Sequence, residues 1–545
     1  MKRFVLAAAI ALLGTWRVEA EPQSMVAAAN PLAVEAGLEV LRRGGTAVDA
    51  AVAVQMVLGV VEPQASGIGG GGFLLYYDAQ SGGMTVYDGR ETAPAGVTPG
   101  MFLGSDGQPL DFRQAVVSGI SVGVPGAVAM LELAHRERGK LPWADLFKPA
   151  IDLAREGFAV PPRLATALAT FRSVARDNAA RAIYFNSDGS PRRQGERVVN
   201  LPLAETLQFV AERGSRGLAQ GPIADYMVAR VRLHERPGTM ELSDIAAYRP
   251  LKREVLCGPY RIWVICGMPP PSSGGVAILQ ILGLLEPFEL HREAPNSPRA
   301  VHLIAEASRL AFADRARYLG DPAFVDVPVR GLLAPVYLGE RRKLISEDRA
   351  MAPAPVAPGY PERGTSHVSI VDRFGNAVAF TTTIEAPFGA QMMAYGFFLN
   401  NELTDFTAQP EIDGRMVANR VQPGKRPRSS MSPTFVFDRE RRLVAVLGSA
   451  GGPRIIGDTL HALIGMLDWN LSVQEALALP RVANLTGGTE LEDRGTLPGL
   501  AERLRSMGHE VQVRRHDGGL TGIRRIGAGW EGAADPRRDG VAKGD

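Results

Sequence analysis

The sequence predicts a layered α/β sandwich. Two clusters of strand-pattern segments are separated by helical blocks, which is how sheets covered by helices are written along a chain. Gly (61) and Pro (39) are abundant, so the chain turns often and is not a helical bundle. Of its 545 residues 46% are hydrophobic, enough for a large core in one big domain or two moderate ones. Formal charge is +2, from 60 basic and 58 acidic residues, and the arginines are scattered without forming a stripe. That balance argues against nucleic acid or an anionic membrane as the main partner.

The elements follow in order. Residues 1–20 read as a signal peptide: Lys2 and Arg3, an apolar run over 4–13 too short to span a bilayer, then Val18-Glu19-Ala20 as a small-residue cleavage site that Trp16 and Arg17 make imperfect. No later run is long enough for a membrane anchor, so a protein of the periplasm or the cell exterior is expected. Helical spacing covers 33–41 and 46–61. GIGGGGF at 67–73 leads into strands at 74–77 and 86–90. Helical patterns dominate 100–250, with polar loops around 175–200. Residues 253–268 read as a β-hairpin, and PPPSSGG at 269–275 turns into an apolar helix over 276–285. Ser297-Pro298 opens a long amphipathic helix, with Ser as N-cap and Pro at the first position.

The remainder is richer in strands. A Pro- and Ala-rich run, APAPVAPGYPERG, ends at Gly364-Thr365, where a strand begins. A turn at Arg373-Phe374-Gly375-Asn376 returns the chain through a β-branched strand over 377–383. A loop ending on Thr at a strand start is what an N-terminal nucleophile hydrolase requires, since cutting the Gly364–Thr365 bond gives Thr365 a free amine beside its own hydroxyl; taken alone, the same Gly-Thr step reads as an ordinary turn. A strand over 397–400, a hairpin at 434–437 and 443–448, a helix over 453–469 and a capping box at Ser472-Val473-Gln474-Glu475 complete the reading.

Two cysteines, Cys257 and Cys266, flank Gly258-Pro259-Tyr260. Export permits a disulfide. Their offset from a turn placed at Gly258-Pro259-Tyr260 is lopsided, which favours two buried free thiols. The eight histidines form no ligand cluster, so no metal site is expected.

Gly67, Gly69 and Gly72 satisfy GxGxxG, but the order helix–glycines–strand is the reverse of the dinucleotide fingerprint. These glycines fit close passage of backbone instead. Gly448-Ser449-Ala450-Gly451-Gly452 has the order strand–turn–helix, where free N–H groups bind an anion or an oxyanion, or merely turn the chain. Glu402 and Asp405 follow a strand and suit an ammonium group, as they would suit a solvated loop. Arg428-Ser429-Ser430-Met431-Ser432-Pro433 precedes a strand and reads equally as a turn.

Together, GIGGGGF, DGRETAP (88–94), PPPSSGG, YLGDP (318–322), GTSHVSIVD, NNELTDF (400–406), KRPRSSMSP (425–433), GSAGGPRI (448–455) and DPRRDG (535–540) resemble the γ-glutamyltranspeptidase (γ-glutamyltransferase) family over nearly the whole mature chain. The resemblance implies a four-layer αββα N-terminal nucleophile (Ntn) hydrolase fold. It implies self-cleavage into a large subunit, 21–364, and a small one, 365–545, which remain associated as one domain. It also implies roles: Thr365 as nucleophile with its own amine as base, and no cofactor; Thr383 holding the nucleophile; Gly451 and Gly452 as oxyanion donors; Arg90, Ser429 and Ser430 clamping a substrate α-carboxylate; Glu402 and Asp405 holding its ammonium. Glu385 stands where the family's best-known members carry Asn, giving three carboxylates around one cation. The short segment between Phe406 and Lys425 lacks the tyrosine that lids the pocket in some members. Both features resemble the γ-glutamyltransferase-like branch, whose relatives include glutaryl-cephalosporin acylases and oxamate amidohydrolase. Three readings follow: hydrolysis or transfer of γ-glutamyl groups of glutathione-like compounds, an amidohydrolase or acylase for another acyl group, and a catalytically dead periplasmic binding protein.

Overall fold

The computed structural model describes residues 21–352, 364–485 and 487–545. The signal-peptide reading and nearly all of the Pro-rich run fall outside these residues. In chain order, the strands of the two larger sheets are β1 (Met25–Ala28), β2 (Gly71–Tyr77), β3 (Met84–Asp88), β4 (Leu251–Arg253), β5 (Leu256–Tyr260) and β6 (Trp263–Gly267). They continue with β7 (Gly364–Val371), β8 (Ala377–Glu385), β9 (Thr434–Phe437), β10 (Leu443–Gly448), β11 (Thr521–Ile526), β12 (Gly529–Ala534) and β13 (Val541–Gly544). One sheet has the order β13-β1-β7-β8-β2-β3-β4, the other β12-β11-β10-β9-β6-β5. Neighbours are antiparallel throughout.

Side-chain alternation along the strands builds the layers. Val26, Leu74, Tyr76, Val368, Ile370, Val378 and Phe380 face one core with the helices α1 (Pro31–Arg42) and α2 (Ala47–Val61). Their neighbours in sequence, among them Met25, Phe73, Leu75, Val371 and Ala379, face the second sheet and meet Phe435, Phe437, Val446 and Ile523. The Tyr77 and Phe437 rings meet across this seam at 5.1 Å between centroids. On the far face of the second sheet, Ile265, Val436, Ala445 and Leu447 pack on α3 (Gly274–Leu285), α4 (Pro298–Tyr318) and α5 (Arg454–Leu467). The result is the four-layer αββα sandwich. Thr46 caps α2 in a capping box with Asp49, and Ser297 caps α4 as its sequence predicts.

Both sheets draw strands from either side of the Gly364–Thr365 bond. β7, β8 and β13 lie beside β1, β2, β3 and β4, while β9 to β12 lie beside β5 and β6. No helix of the described residues is long and apolar enough to cross a membrane.

The cysteine reading is corrected. Cys257 and Cys266 form a disulfide. The hairpin turns at Arg261-Ile262, not at Gly258-Pro259-Tyr260, so Tyr260 pairs with Trp263 and Cys257 lies directly opposite Cys266. Arg261 has φ 55°, the left-handed conformation a tight hairpin turn demands. The thiols are also not both buried: Cys257 is exposed and Cys266 buried. Closing so short a loop contributes about 2–3 kcal/mol in the chain-entropy account. Replacing both cysteines by serine is therefore expected to lower the unfolding temperature measurably, and added dithiothreitol should lower that of the parent but not of the variant.

The strand expected over 397–400 is confined to Phe397–Phe398. Asn400 ends it, because its side-chain amide donates to the carbonyls of Gly69 and Gly123, both at 2.8 Å.

Candidate active site

Alternation places Thr365, His367 and Ser369 on the face of β7 that looks toward the second sheet, and Ser366 on the helical face. Thr365 pairs with Thr383 in the β7–β8 register. Their hydroxyl oxygens lie 3.3 Å apart. Thr383 Oγ1 donates to the Gly364 carbonyl at 2.6 Å and accepts from the Glu385 amide at 2.8 Å. With the Thr383 proton committed, the Thr365 hydroxyl is the donor to Thr383. Gly364 is required by packing: a Cβ there would sit 2.5 Å from the Glu385 carbonyl oxygen. Its φ lies outside the left-handed region, so the conformational freedom of glycine is not what selects it.

His367 is the only histidine beside Thr365 on this strand. Burial pushes it down to about 3, which keeps it neutral and unsuited to be a base. Its ring packs on Gly448, where a Cβ would sit 2.4 Å away. This contact brings the end of β10 against the start of β7. Beyond Gly448, Gly451 and Gly452 take φ 130° and 65° before α5 begins at Arg454. Only glycine adopts the first of these readily. Among the described residues, nothing lies within 4 Å of where a Cβ on Gly451 would stand.

Of the three glycines read for close passage, Gly69 and Gly72 serve it, and Gly67 does not, since nothing among the described residues lies within 4 Å of a Cβ placed there. A Cβ at Gly70 would lie 2.0 Å from the Thr383 carbonyl oxygen, and at Gly69 2.3 Å from that of Phe398.

At the end of β8 the strand bulges between Thr383 and Glu385, and Glu385 has φ 75°. Such a conformation costs a non-glycine residue on the order of 1–3 kcal/mol and marks functional sites. The Glu385 carboxyl accepts from the Asn401 amide and, at 3.4 Å, from Thr404 Oγ1. Its other oxygen, Oε1, is buried without a hydrogen-bond partner among the described residues. Burial, reinforced by Asp405 and Glu402, holds this carboxyl well above the usual range.

Glu402 and Asp405 occupy a single 3-10 turn and both bond Arg90, Glu402 through Nη1 and Asp405 through Nη2. Arg90 Nε also donates to the Pro427 carbonyl and Nη2 to that of Arg428, each at 3.1 Å. The guanidinium fork is thus occupied by two acids and two carbonyls, and the Arg90 carbonyl accepts from Tyr248 Oη at 2.8 Å. Glu402 Oε2 and both oxygens of Glu91 are buried together, carboxyl facing carboxyl, and no other side-chain partner reaches them among the described residues. Burial raises Glu402 to about 7 against the pull of Arg90. Burial and the neighbouring Glu402 raise Glu91 as well.

The segment that holds Arg90 continues into Ser429 and Ser430. Ser429 Oγ accepts from the Met431 amide at 3.1 Å, and Ser430 Oγ accepts from Arg315 Nη2 at 2.8 Å. Each hydroxyl acts as an acceptor in these bonds and retains a proton that it can donate. Arg315 Nε donates to Ser273 Oγ at 2.8 Å, and that hydroxyl donates to the Ser429 carbonyl at 2.6 Å. PPPSSGG thereby buttresses the serine pair.

The candidate site residues of the sequence reading fall in this region. Thr365, Thr383, Gly364 and Glu385 are joined directly. Arg90, Glu402 and Asp405 form one ion cluster, linked by backbone to Ser429 and Ser430 and through Asn401 to Glu385. Gly451 and Gly452 approach through Gly448. Sequence reasoning missed Glu91, Asn401, Thr404, Arg315 and Arg538, although all five lie within or beside the motifs that carry the resemblance.

Four layers, two of them antiparallel sheets, with a threonine opening a central strand against a glycine turn, define an Ntn-type hydrolase or acyltransferase. A family model described as Gamma-glutamyltranspeptidase matches residues 33–545, and the chain belongs to that family. It is 36% identical to the glutathione hydrolase proenzyme of Bacillus subtilis (strain 168), across 97% of this chain and 92% of that protein. It is 38% identical to the acylase ACY 1 proenzyme of Pseudomonas sp. (strain SE83), across 92% and 89%. The cephalosporin acylase of Bacillus halodurans superposes with a TM-score of 0.85 at 28% identity, covering 96% of each chain.

Proposed function

We propose that the chain is an exported, self-processing enzyme that transfers γ-glutamyl groups from glutathione-like amides to water or to an amino acid or peptide. The observation that carries this reading is the buried ion cluster of Arg90 with Glu402 and Asp405. A glutamyl donor presents an α-carboxylate and an α-ammonium on one carbon. Inserted here, the carboxylate takes Arg90 and the Ser429 and Ser430 hydroxyls, while the ammonium takes Glu402 and Asp405. Each protein charge exchanges one partner for another, so no buried charge is left unpaired. A glutaryl group lacks the ammonium and would take Arg90 away from two acids with nothing to replace it.

The chemistry starts in the precursor. Thr365 Oγ attacks the Gly364 carbonyl carbon, the chain passes through an ester, and water releases Gly364 as a carboxylate and Thr365 as a free amine. The products are residues 21–364 and 365–545, held together by the strands they share. Loss of the Gly364 carbonyl frees the Thr383 proton, which then turns to Thr365 Oγ and orients it. The amine takes the Thr365 hydroxyl proton as Oγ attacks the γ-carbonyl. The Gly451 and Gly452 amides hold the oxyanion, a donor of this kind being worth roughly 3–4 kcal/mol. The amine returns the proton to the leaving nitrogen, and water or an acceptor amine resolves the acyl-enzyme. The Cys257–Cys266 bond supports an oxidising location, periplasm or cell exterior.

Turnover of γ-glutamyl-p-nitroanilide against glutaryl-p-nitroanilide tests the reading: release from the first is expected, and release from the glutaryl compound alone would overturn it. The second reading, an acylase for another acyl group, rests on Glu385 and the acylase relatives. Glu385→Asn is expected to relieve the left-handed strain, since Asn tolerates that region better. It should also ease ionisation of Glu402 and lower KM for the γ-glutamyl anilide about three- to tenfold. Steady-state kinetics check this; an unchanged KM would mean that Glu385 lies outside the ammonium site.

A further inference from the structure

The edge of β7 on which Thr365 lies is incompletely paired. Among the described residues, β1 pairs with it only over Ser369, Ile370 and Val371. Ahead of these, side chains replace the missing strand. Thr521 Oγ1 donates to the His367 carbonyl at 3.3 Å, and Arg538 Nη1 donates to the Thr365 carbonyl at 3.1 Å. Arg538 Nε donates to the Asp517 carbonyl at 3.1 Å. The guanidinium lies flat on Gly519, where a Cβ would fall 2.7 Å from its Cζ and 2.8 Å from Ala450 of the glycine turn. One side chain from the C-terminal segment therefore touches the nucleophile's backbone and packs beside the oxyanion turn.

Resting on the assignment of Thr365 above, we propose that Arg538 is a positioning residue that fixes the Thr365 carbonyl and, by its charge, keeps the new α-amine in its neutral, proton-accepting form. The amine is about 3 Å from its own residue's carbonyl oxygen by backbone geometry. The guanidinium consequently stands roughly 6 Å from the amine, close enough for a cation to disfavour a second one. Other charges surround the pair. Glu62, Asp517 and Asp535 face Arg538 as acids and Arg163 as a base. Glu62 accepts from Arg163 Nη1 at 2.9 Å and from Ser366 Oγ at 3.4 Å, and Asp539 accepts from the Arg163 amide at 3.0 Å. From β8, Glu385 lies opposite Gly364, and on β7 His367 is neutral. The acids moderate the effect of Arg538, so a net shift of about one pH unit is expected.

The test begins with the unaltered enzyme. A small subunit beginning Thr-Ser-His that hydrolyses γ-glutamyl-p-nitroanilide is expected; its absence overturns the nucleophile assignment and this inference with it. Given that result, the pH profile of kcat/KM is compared for Arg538→Gln, which keeps a hydrogen-bond donor, and Arg538→Lys, which keeps the charge. The acid limb, which reports the free enzyme's base, should move up by about one unit in the Gln variant and stay within about 0.3 unit of the parent in the Lys variant. A uniform loss with an unmoved limb would make Arg538 merely structural and overturn the inference alone. Should the variants fail to mature, cyanate carbamoylation of the Thr365 amine in the unaltered enzyme, read by mass spectrometry against pH, decides the matter. A midpoint about one unit below the ordinary 7.7–8.0 supports the proposal, and one at or above about 8 refutes it.

Discussion

Thr365→Ala is expected to yield one uncut chain without turnover. Two losses coincide in this variant. Without Oγ there is no attack on the Gly364 carbonyl, so the amine that serves as base never forms, and without Oγ there is also no acyl acceptor. Removing a nucleophile that acts as one unit with its base costs on the order of 10^6-fold in kcat in serine hydrolases of comparable logic. The site should otherwise persist, because Thr383 remains bonded to the Gly364 carbonyl and the Glu385 amide. The measurement is a denaturing gel together with anilide hydrolysis. Cleavage at the normal position in the alanine variant would show that another group performs it.

Arg90→Gln is expected to have the second largest effect, on stability as well as on activity. Arg90 is 1% exposed and sits among Glu402, Asp405 and Glu91. Removing one partner of a buried pair leaves the others uncompensated, at about 3–5 kcal/mol. The sign of the pH dependence follows from Glu402. Its folded value, about 7, lies above its ordinary 4.5. A carboxyl raised in this way favours the folded state below its unfolded value and opposes it as pH rises through its folded value. Without Arg90 that folded value rises further. Thermal unfolding should therefore show the largest deficit of the variant near pH 8 and a smaller one near pH 5. A deficit independent of pH would contradict the assignment of Arg90 as the counter-charge.

The limits of the sequence are visible in particular residues. The helix caps at Ser297 and Ser472 and the hairpin over 434–448 are legible because their signals are local: a side chain and an amide three residues apart, or alternation broken by a turn. The cysteine hairpin is misread from the sequence because moving the turn from 258–260 to 261–262 changes every cross-strand pair, and Gly258-Pro259 is a stronger turn signal than Arg261-Ile262. Gly364 was legible as a glycine, but its reason was not, since the Glu385 carbonyl that excludes a Cβ arrives from a neighbouring strand.

By itself the sequence determined the layered α/β class, the Thr365 strand start and the glycine turn before α5, because each depends on residues close together in the chain. Tertiary structure alone decided that Arg90 is already held by Glu402 and Asp405, that Glu385 is forced to a positive φ, that Cys257 meets Cys266, and that Arg538 reaches the Thr365 carbonyl. The physical reason is common to all four. Charge pairing, burial and cross-strand register depend on which segments the sheets bring side by side, and those segments lie 315 residues apart for Arg90 and Asp405 and 173 for Arg538 and Thr365.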